Sequence, residues 1–434
     1  MIVCVALCGG TCLLMILSIL FFPKIKIGKV KLDSYWIITL VGAAVVLITR
    51  TAKIENVGKA LVADTAINPL KILVLFISMT VLSIFLDEVG FFSYLAIVTL
   101  RKAKNSQNAL FLYLYIIVSV LTVFTSNDII ILTFTPFICY FAKNAKISPL
   151  PYLFTEFIAA NTWSMALIIG NPTNIYLATA NGIGFAEYFL KMILPTLGAG
   201  LVSLFILFLL FRKKLSQKIT ASETEARIKD DVLLVIGLVH LALCTILLAV
   251  SSYVKLEMWY ISLGFAVSLF VCTLICAAIR KRKPTELGSC LKRAPWQLIP
   301  FVLSMFVLIL SLSENGVTGK LCELFGETST VFKYGLASFL TANVINNIPM
   351  SVLFSSIAEP LAGTQTGLRA VYASIVGSNI GAFLTPIGAL AGIMWSSILK
   401  THGVQFRFQD FVKYGAIISV PSIFAALAIL QFLV

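Results

Sequence analysis

This sequence could do chemistry in four short segments. In each of them, polar and helix-breaking residues interrupt an apolar run. They are residues 126–128, 170–174, 346–349 and 385–388. Pro removes a helical hydrogen bond and Gly permits unusual dihedral angles, so helices tend to break at such residues. A break inside an apolar span frees backbone polar groups and is tolerated only where it lines a protein or water-filled cavity. Freed carbonyls beside Asn, Ser and Thr side chains are suited to a dehydrated Na⁺ or a small hydroxylated solute.

The candidate binding residues are the polar and helix-breaking residues of these segments, together with polar residues of the adjoining apolar runs. They are Ser126, Asn127, Asp128, Asn161, Gly170, Asn171, Thr173, Asn174, Asn343, Asn346, Asn347, Ser378, Asn379, Thr385, Pro386 and Gly388. A Na⁺ site is expected near Ser126, Asn127, Asp128, Gly170 and Asn174. The sequence predicts no resident cofactor, and either Na⁺ or H⁺ would serve as a coupling ion.

Asp128 is the sharpest single candidate, because an ionisable residue at membrane depth is a functional hypothesis by default. Its carboxylate could bind Na⁺ directly or take up a proton. The alternative is an exposed turn between two complete spans. Glu156 is interpreted as an interfacial residue, and Asp87 with Glu88 as a helix junction at the end of a span. His240 is expected to pack against a neighbouring helix, with a proton relay as the alternative.

The chain also looks like one unit written twice. Asn161 and Asn379 lie 218 positions apart, about half of the 434 residues, and each is followed nine positions later by a Gly. Asn127 and Asn347 are offset by 220. Duplicated membrane halves with breaks in matching apolar segments indicate a secondary transporter whose site lies at the repeat interface. The two predicted units are residues 1–222 and 223–434.

Composition places the chain in a lipid bilayer. Its residues are 59% hydrophobic and 12% charged, with a mean hydropathy of +0.99, whereas soluble domains are roughly 25% charged. The net charge of +14 comes from short basic clusters at the ends of apolar runs, so it indicates membrane topology rather than a nucleic-acid partner. The nine Cys residues form no CxxC pair, so we expect free thiols without a zinc site. The first apolar run is expected to be a retained span rather than a signal peptide.

Apolar runs long enough to cross a hydrocarbon core of about 30 Å predict five spans in each half. They are residues 1–22, 35–49, 70–86, 151–180 and 188–211, then 232–250, 256–279, 296–313, 368–399 and 411–434. An odd number of spans per half inverts the second half relative to the first. The fold class is therefore an all-α integral membrane protein with two inverted repeats and broken helices at residues 151–180 and 368–399.

Each half is also predicted to hold one re-entrant hairpin, at residues 108–143 and 331–360. The second arm of the first hairpin is an apolar run of about 14 residues, or roughly 21 Å of helix, which is too short to cross comfortably. Both arms of the second hairpin are short. The alternative is two complete spans joined by an ordinary polar turn.

The positive-inside rule favours an external N-terminus in a cell membrane. With that orientation most of the 33 basic residues fall on cytoplasmic loops, and the first hairpin opens inward while the second opens outward. The clusters at residues 24–31, 212–231 and 280–293 are then cytoplasmic, and residues 316–327 are external. The basic residues Arg50, Lys53, Lys59 and Lys71 on an outer loop fit this orientation poorly.

Across nearly the whole chain, the sequence resembles the arsenite and antimonite efflux permeases of the ArsB type. The matching segments, in order, are FLDEVGFF, FTSNDIIILTFTP, GFAEY, KRAPWQL, NNIPMSVL and VYASIVGSNIGAFLTPIGALAGIMW. The hairpin pattern also resembles the divalent-anion:sodium symporters and the NhaD-type antiporters of the wider ion-transporter superfamily. The resemblance implies inverted repeats, hairpins that meet at mid-membrane and a homodimer, with a cytoplasmic ATPase partner only by family analogy.

The departures from the family pattern bear on coupling. Where the arsenite permeases carry Asp in the fourth span of each half, this chain has Asn161 and Asn379. Where they read Ser-Asn-Leu-Val-Asn, residues 170–174 read Gly-Asn-Pro-Thr-Asn. The loss of two carboxylates weakens the case for proton coupling and leaves Asp128 as the main titratable candidate. Asn-rich linings are equally suited to Na⁺.

The expected function is therefore secondary active transport by alternating access. The leading hypothesis is ion-coupled efflux of arsenite or antimonite. The alternatives are Na⁺-coupled di- or tricarboxylate transport and Na⁺/H⁺ antiport. A channel and an intramembrane enzyme are the other classes, and the sequence holds no zincin motif or nucleotide-binding loop. Cys4, Cys8 and Cys12 share one helix face, which we interpret as a packing face, with a site for trivalent arsenic as the alternative.

Overall fold

The computed structural model describes residues 1–27, 30–63, 68–103, 106–216, 228–326 and 328–434. Among these residues, eight helices are long and apolar enough to cross a membrane. Seven of them coincide with predicted spans, and the eighth, Gln107–Phe124, was predicted as a hairpin arm. The predicted boundary between the halves, at residues 222 and 223, lies outside the described residues.

The first half contains ten α-helices and one pair of strands among the described residues. They are α1 (Ile2–Phe21), β1 (Lys24–Ile27), β2 (Val30–Asp33), α2 (Ser34–Ile48), α3 (Ile54–Val62), α4 (Pro69–Glu88), α5 (Phe91–Lys102), α6 (Gln107–Phe124), α7 (Asn127–Asn144), α8 (Leu150–Trp163), α9 (Pro172–Ala180) and α10 (Phe185–Leu215).

The second half contains eleven α-helices in its described part. They are α11 (Asp231–Ala249), α12 (Ser251–Val254), α13 (Met258–Ile279), α14 (Thr285–Arg293), α15 (Leu298–Glu314), α16 (Val317–Phe325), α17 (Thr330–Ile345), α18 (Asn347–Ala358), α19 (Gln365–Gly381), α20 (Leu390–Thr401) and α21 (Phe408–Leu433).

The order of elements from α4 to α10 recurs from α15 to α21. In both, a long helix ends at a Glu, a Gly in the left-handed region follows, and a short helix begins: Gly90 has φ 92° before α5, and Gly316 has φ 72° before α16. A pair of helices joined by a sharp polar break comes next, then a buried helix that stops short, and finally a long helix with an internal Pro.

Two helices are buried almost completely. In α8 every residue from Pro151 to Thr162 is buried, and in α19 the same holds from Ala370 to Gly381. Helices that are buried on all sides lie in the interior of a large or membrane protein, and the polar side chains that α8 and α19 carry are therefore enclosed by protein. By contrast, α1, α10, α11 and α13 bury only about a third of their apolar windows, so they form the outer layer of the molecule and present apolar surface to its surroundings.

The hairpin helices are longer than the apolar runs suggested. The second arm of the first pair, α7, has 18 residues, because Ser126 caps its N-terminus and helix continues through Asn144. In the second pair, α17 has 16 residues and α18 has 12. The length argument is therefore weaker for the first pair than for the second.

Several elements were not expected from the sequence. The basic segment after α1 forms an antiparallel strand pair in which Lys24 lies opposite Asp33. Short helices α3, α5, α14 and α16 lie between the long ones.

Ion pairs attach α14 to the end of α4. Arg293 at the end of α14 pairs with both Asp87 and Glu88 of α4. Asp87 also accepts a hydrogen bond from Thr133 of α7. The junction predicted at Asp87 and Glu88 is thus an ion-paired one.

Candidate functional site

The two helix pairs and the two broken helices are joined by buried amide side chains. At the tip between α6 and α7, Asn127 Nδ2 donates to Asn161 Oδ1 at 3.0 Å and thereby links α7 to α8. Asn161 Nδ2 donates to the carbonyl of Phe157 at 2.8 Å. Both side chains are buried. Because water does not reach them, their polar atoms are satisfied by these protein hydrogen bonds.

Asn379 is the centre of the larger cluster and links the two halves of the chain. Its Oδ1 accepts hydrogen bonds from Ser164 Oγ at 3.0 Å and from Asn171 Nδ2 at 3.1 Å. Its Nδ2 donates to Asn174 Oδ1 at 2.6 Å and to the carbonyl of Ile375 at 2.8 Å. All four donor and acceptor positions of this amide are therefore used.

A second bond between the halves lies beside this cluster. Ser378 Oγ donates to Thr173 Oγ1 at 2.9 Å, and Thr173 bonds in turn to Asn171 Oδ1 at 3.0 Å. Asn174 Nδ2 also donates to the free carbonyls of Ser164 and Leu167. The backbone acceptors exposed by the break in the first half are therefore satisfied by amides rather than by lipid or water.

Local sequence explains the first break. After Trp163 the chain passes through two 3₁₀ turns, Ser164–Ala166 and Ile168–Gly170, before α9 starts at Pro172. Pro at the first helical position needs no N–H partner, and the Asn171 side chain caps the helix by accepting from Thr173 N–H. A Cβ at Gly170 would lie 2.2 Å from the Ser164 carbonyl oxygen, so this close turn requires Gly.

The second break is built around Asn343 and Gly388. Asn343 Nδ2 donates to the carbonyl of Gly381 at 3.0 Å, and Asn343 Oδ1 accepts from Thr385 Oγ1 at 2.7 Å. The backbone N–H of Asn347 donates to the Gly388 carbonyl at 3.0 Å. A Cβ at Gly388 would lie 2.6 Å from the Gly381 carbonyl oxygen, so the chain can pass this closely only with Gly.

The tip between α17 and α18 is held by Asn346. Its φ of 74° and ψ of 155° lie outside the left-handed helical region, in a backbone conformation that is strained for any residue except Gly. Its Nδ2 donates to the carbonyl of Ile387 at 2.9 Å, and its Oδ1 caps α18 by accepting from Ile348 N–H. The tip of this pair is therefore attached to the break that follows α19.

Three predicted residues lie outside these networks. Asp128 is partly exposed in the first turn of α7, and its carboxylate has no hydrogen bond to another described residue. Its backbone N–H, rather than its side chain, bonds to Ser126 and Asn127. The side-chain amide of Asn347 makes no hydrogen bond in the described part of the chain, and Pro386 has no polar side-chain atom.

From the sequence, one residue of the site was missed and one buried carboxyl outside it was misread. Ser164 was not a candidate, although it contacts Asn379 and its carbonyl accepts from Asn174. Glu156 was interpreted as interfacial, and that is wrong: its side chain is buried and accepts a hydrogen bond from Thr135 Oγ1 of α7 at 2.9 Å. A single carboxylate in an otherwise apolar run was the available signal.

The other chemical candidates have packing contacts. Cys4 Sγ lies 3.0 Å from Ser311 Oγ, and Cys8 Sγ donates to the carbonyl of Leu308, so the thiol stripe faces α15. His240 bonds to the carbonyl of Ile236 and to Ser268. Among the described residues, no group of three or more His, Cys, Asp or Glu side chains could hold a metal ion.

Comparison with known proteins places this geometry in a family. The family model described as "CitMHS: Citrate transporter" matches residues 31–377. An "Arsenical pump membrane protein" of Escherichia coli strain K12 is 29% identical over 374 residues, covering 82% of this chain and 84% of that protein. A "Putative arsenical pump membrane protein" of Bacillus subtilis strain 168 is 24% identical over 422 residues, covering 90% and 92%.

A solved structure has the same fold. The chain is similar to the Alcanivorax borkumensis YdaH transporter, with a TM-score of 0.54 and 14% sequence identity, over 99% of this chain and 98% of that one. At this identity the likeness concerns the fold alone. Because the family model covers most of the chain, and the fold and the apolar helices agree with it, the protein belongs to the citrate transporter family and is a multi-pass membrane transporter related to the ArsB-type permeases.

Proposed function

We propose that the protein exports arsenite or antimonite by alternating access, in exchange for or together with an ion. The cluster around Asn379 carries this proposal, because it joins the broken helices of the two halves with neutral donors and acceptors. Protonated arsenite is a small uncharged solute with three hydroxyls, and amide and hydroxyl side chains pair with such groups without a counter-charge. The names of the curated relatives support the same solute.

The two halves are proposed to be inverted repeats, with α6–α7 and α17–α18 as re-entrant hairpins. The recurring order of elements supports a repeat, and the polar tips at Asn127 and Asn346 support a site that they reach from opposite faces. Breaks of this kind in the two halves are the usual location of solute and ion sites in secondary transporters.

The coupling ion is proposed to act at the first tip. Asp128 offers a carboxylate free of side-chain partners among the described residues, beside the oxygens of Ser126 and Asn127. Such oxygens could bind Na⁺, and the carboxylate could alternatively carry a proton. The membrane potential would add about 2.3 kcal/mol per elementary charge per 100 mV to such coupling.

A Na⁺-coupled carboxylate transporter is the second candidate. The family description names citrate, and four helix N-termini, those of α7, α9, α18 and α20, begin at the breaks. Helix N-termini attract anions. Against this candidate, the hydrogen-bonded networks at the two breaks contain no Lys or Arg among the described residues. Na⁺/H⁺ antiport is the third candidate and needs only the Asp128 site.

The remaining proposals concern the cell. We place the protein in the plasma membrane with its N-terminus outside, as the basic clusters favour. A homodimer, and a cytoplasmic ATPase as a partner, are proposed from the family resemblance.

Transport by the purified protein in proteoliposomes tests the function. Arsenite, antimonite, citrate and succinate should be compared under imposed Na⁺ and pH gradients. The proposal predicts saturable arsenite or antimonite flux that follows one ion gradient and is absent from empty liposomes. Gradient-driven citrate flux without arsenite flux would replace it with the second candidate, and Na⁺/H⁺ exchange without either solute would favour the third.

A further inference from the structure

Glu156 is a buried carboxyl that the proposed solute and ion sites do not use. It lies in the middle of α8, a helix whose residues from Pro151 to Thr162 are all buried, and its own exposure is 0%. One oxygen, Oε1, accepts from Thr135 Oγ1 at 2.9 Å. The other, Oε2, has no hydrogen-bond partner among the described residues.

The surroundings of Glu156 are aromatic and uncharged. The indole of Trp395 on α20 faces the carboxyl, and its Nε1 also lacks a hydrogen bond to a described residue. Trp395 packs against Phe157, with ring centroids 5.3 Å apart, and against Phe411 at 5.5 Å. Two buried polar atoms, Glu156 Oε2 and Trp395 Nε1, therefore lack hydrogen bonds to described residues in apolar surroundings. Such unsatisfied groups are rare in native structures and call for an explanation, which can be functional.

Among the described residues, few titratable groups lie near this carboxyl. On α7 the Cys139 thiol interacts with it electrostatically. On α8 itself the Tyr152 hydroxyl is bonded to Gln107 of α6. Within the described ranges, no Lys, Arg or His forms an ion pair with Glu156.

Burial without a counter-charge decides which form of the carboxyl fits. An isolated carboxylate in a low-dielectric interior is costly unless it is paired and fully hydrogen-bonded. The packing around Glu156 supplies one hydroxyl donor from α7 and one indole that is not in hydrogen-bond geometry. The enclosed arrangement therefore accommodates the uncharged acid, and the carboxylate would need water.

Glu156 lies close to the helices that border the breaks. Thr135 is seven residues along α7 from Asp128, about 10 Å at 1.5 Å per residue. Asn161, which holds the Asn127 tip, is five residues along α8 from Glu156. Trp395 lies on α20, which directly follows the second break. Glu156 thus contacts elements that border both breaks of the proposed site.

We propose that Glu156 is a proton-binding residue of the transport cycle. It holds one proton while α7, α8 and α20 are packed together, and it releases that proton to water when their separation admits solvent. On release the O–H bond of the carboxylic acid breaks, the electron pair stays on the carboxylate, and water takes the proton. Transport would then be coupled to H⁺ through Glu156, whatever ion Asp128 binds. This inference rests on the proposed coupled transport.

Infrared titration of the purified full-length protein tests proton binding without any solute. The expected result is a carboxylic-acid C=O band that is present at low pH, disappears reversibly as the pH rises, and is missing from Glu156→Gln but retained in Asp128→Asn. Gln has nearly the same shape, so a fold check by size-exclusion chromatography should give a matching profile. A spectrum with no band lost in Glu156→Gln, or a band unchanged over the whole pH range in which the protein stays folded, overturns the proposal.

Transport with arsenite as the probe gives the second readout. One coupled proton under a gradient of one pH unit supports about tenfold accumulation. Wild type should approach that ratio and Glu156→Gln should show none. His240→Gln, which removes a titratable side chain of α11 that bonds only to Ile236 and Ser268 among the described residues, should behave as wild type. Normal pH-driven accumulation by folded Glu156→Gln contradicts the proposal. If wild type moves none of the tested solutes, the proposed function fails, and the infrared titration still decides the role of Glu156.

Discussion

At the scale of single residues, Asp128 and Asn379 have different environments and therefore different expected roles. Asp128→Asn keeps size and hydrogen-bonding capacity while removing the charge, and the carboxylate has no partner among the described residues to leave unsatisfied. We expect normal folding and a collapse of ion coupling, with ion affinity reduced roughly 5- to 150-fold for about 1 to 3 kcal/mol of lost interaction. The measurement is transport rate against ion concentration. The exposed Asp410→Asn is the matched control, and an unchanged ion dependence in Asp128→Asn would refute the assignment.

Asn379→Ala should instead damage both stability and transport. It leaves Asn171 Nδ2 and Asn174 Oδ1 without their partner, whereas Ser164 keeps its bond to the carbonyl of Asn161, and each unsatisfied buried group costs about 1 to 3 kcal/mol. We expect a lower midpoint of thermal unfolding and no measurable solute flux. The control is Asn181→Ala, which removes an Asn that bonds to Leu177 at the end of α9, outside the cluster. It should lower the unfolding midpoint and the solute flux far less than Asn379→Ala does. Full transport by Asn379→Ala would show that the cluster is not part of the pathway.

At the scale of elements, the contact between α1 and α15 accounts for the thiol stripe. Cys4 and Cys8 bond to Ser311 and to the carbonyl of Leu308, and hydroxyls can replace thiols in such bonds. Changing Cys4, Cys8 and Cys12 together to Ser should therefore leave arsenite flux within about twofold of wild type, with a small loss of thermal stability from the added polarity. Loss of arsenite flux in a folded triple variant would instead assign these thiols to the binding of trivalent arsenic.

Elements also show what the sequence could and could not predict. The breaks near Gly170 and Gly388 were predictable, because Gly, Pro and Asn act locally on the helix that contains them. The role of Glu156 was not, since a carboxyl in an apolar run looks the same whether it faces lipid headgroups or Trp395. Ser164 was missed because its partner Asn379 is 215 residues away in the sequence, and no local pattern shows that the two are in contact. The strand pair from Lys24 to Asp33 does carry a local signal, because KIKI alternates with the period of a strand.

At the scale of the whole molecule, the orientation of the two halves remains a prediction that reporter fusions can check. The loops at residues 24–31, 212–231 and 280–293 should be cytoplasmic, and residues 316–327 external. Within these loops, Lys29, Lys218, Arg227 and Glu327 lie outside the described residues. A fusion after Arg293 that reports an external location would rule out the inverted arrangement, because α13 and α15 would then both run the other way.

The most direct measurement of the central claim is solute protection at the first tip. In a background without the native Cys residues, Asn127 and Asp128 are each replaced by Cys and exposed to a small hydrophilic thiol reagent, with and without arsenite. The account predicts labelling of both positions through an aqueous cavity and slower labelling when arsenite is bound. Rapid labelling by a bulky impermeant reagent from the outside alone, indifferent to arsenite and to the alternative solutes, would contradict it and make the tip an ordinary exposed turn.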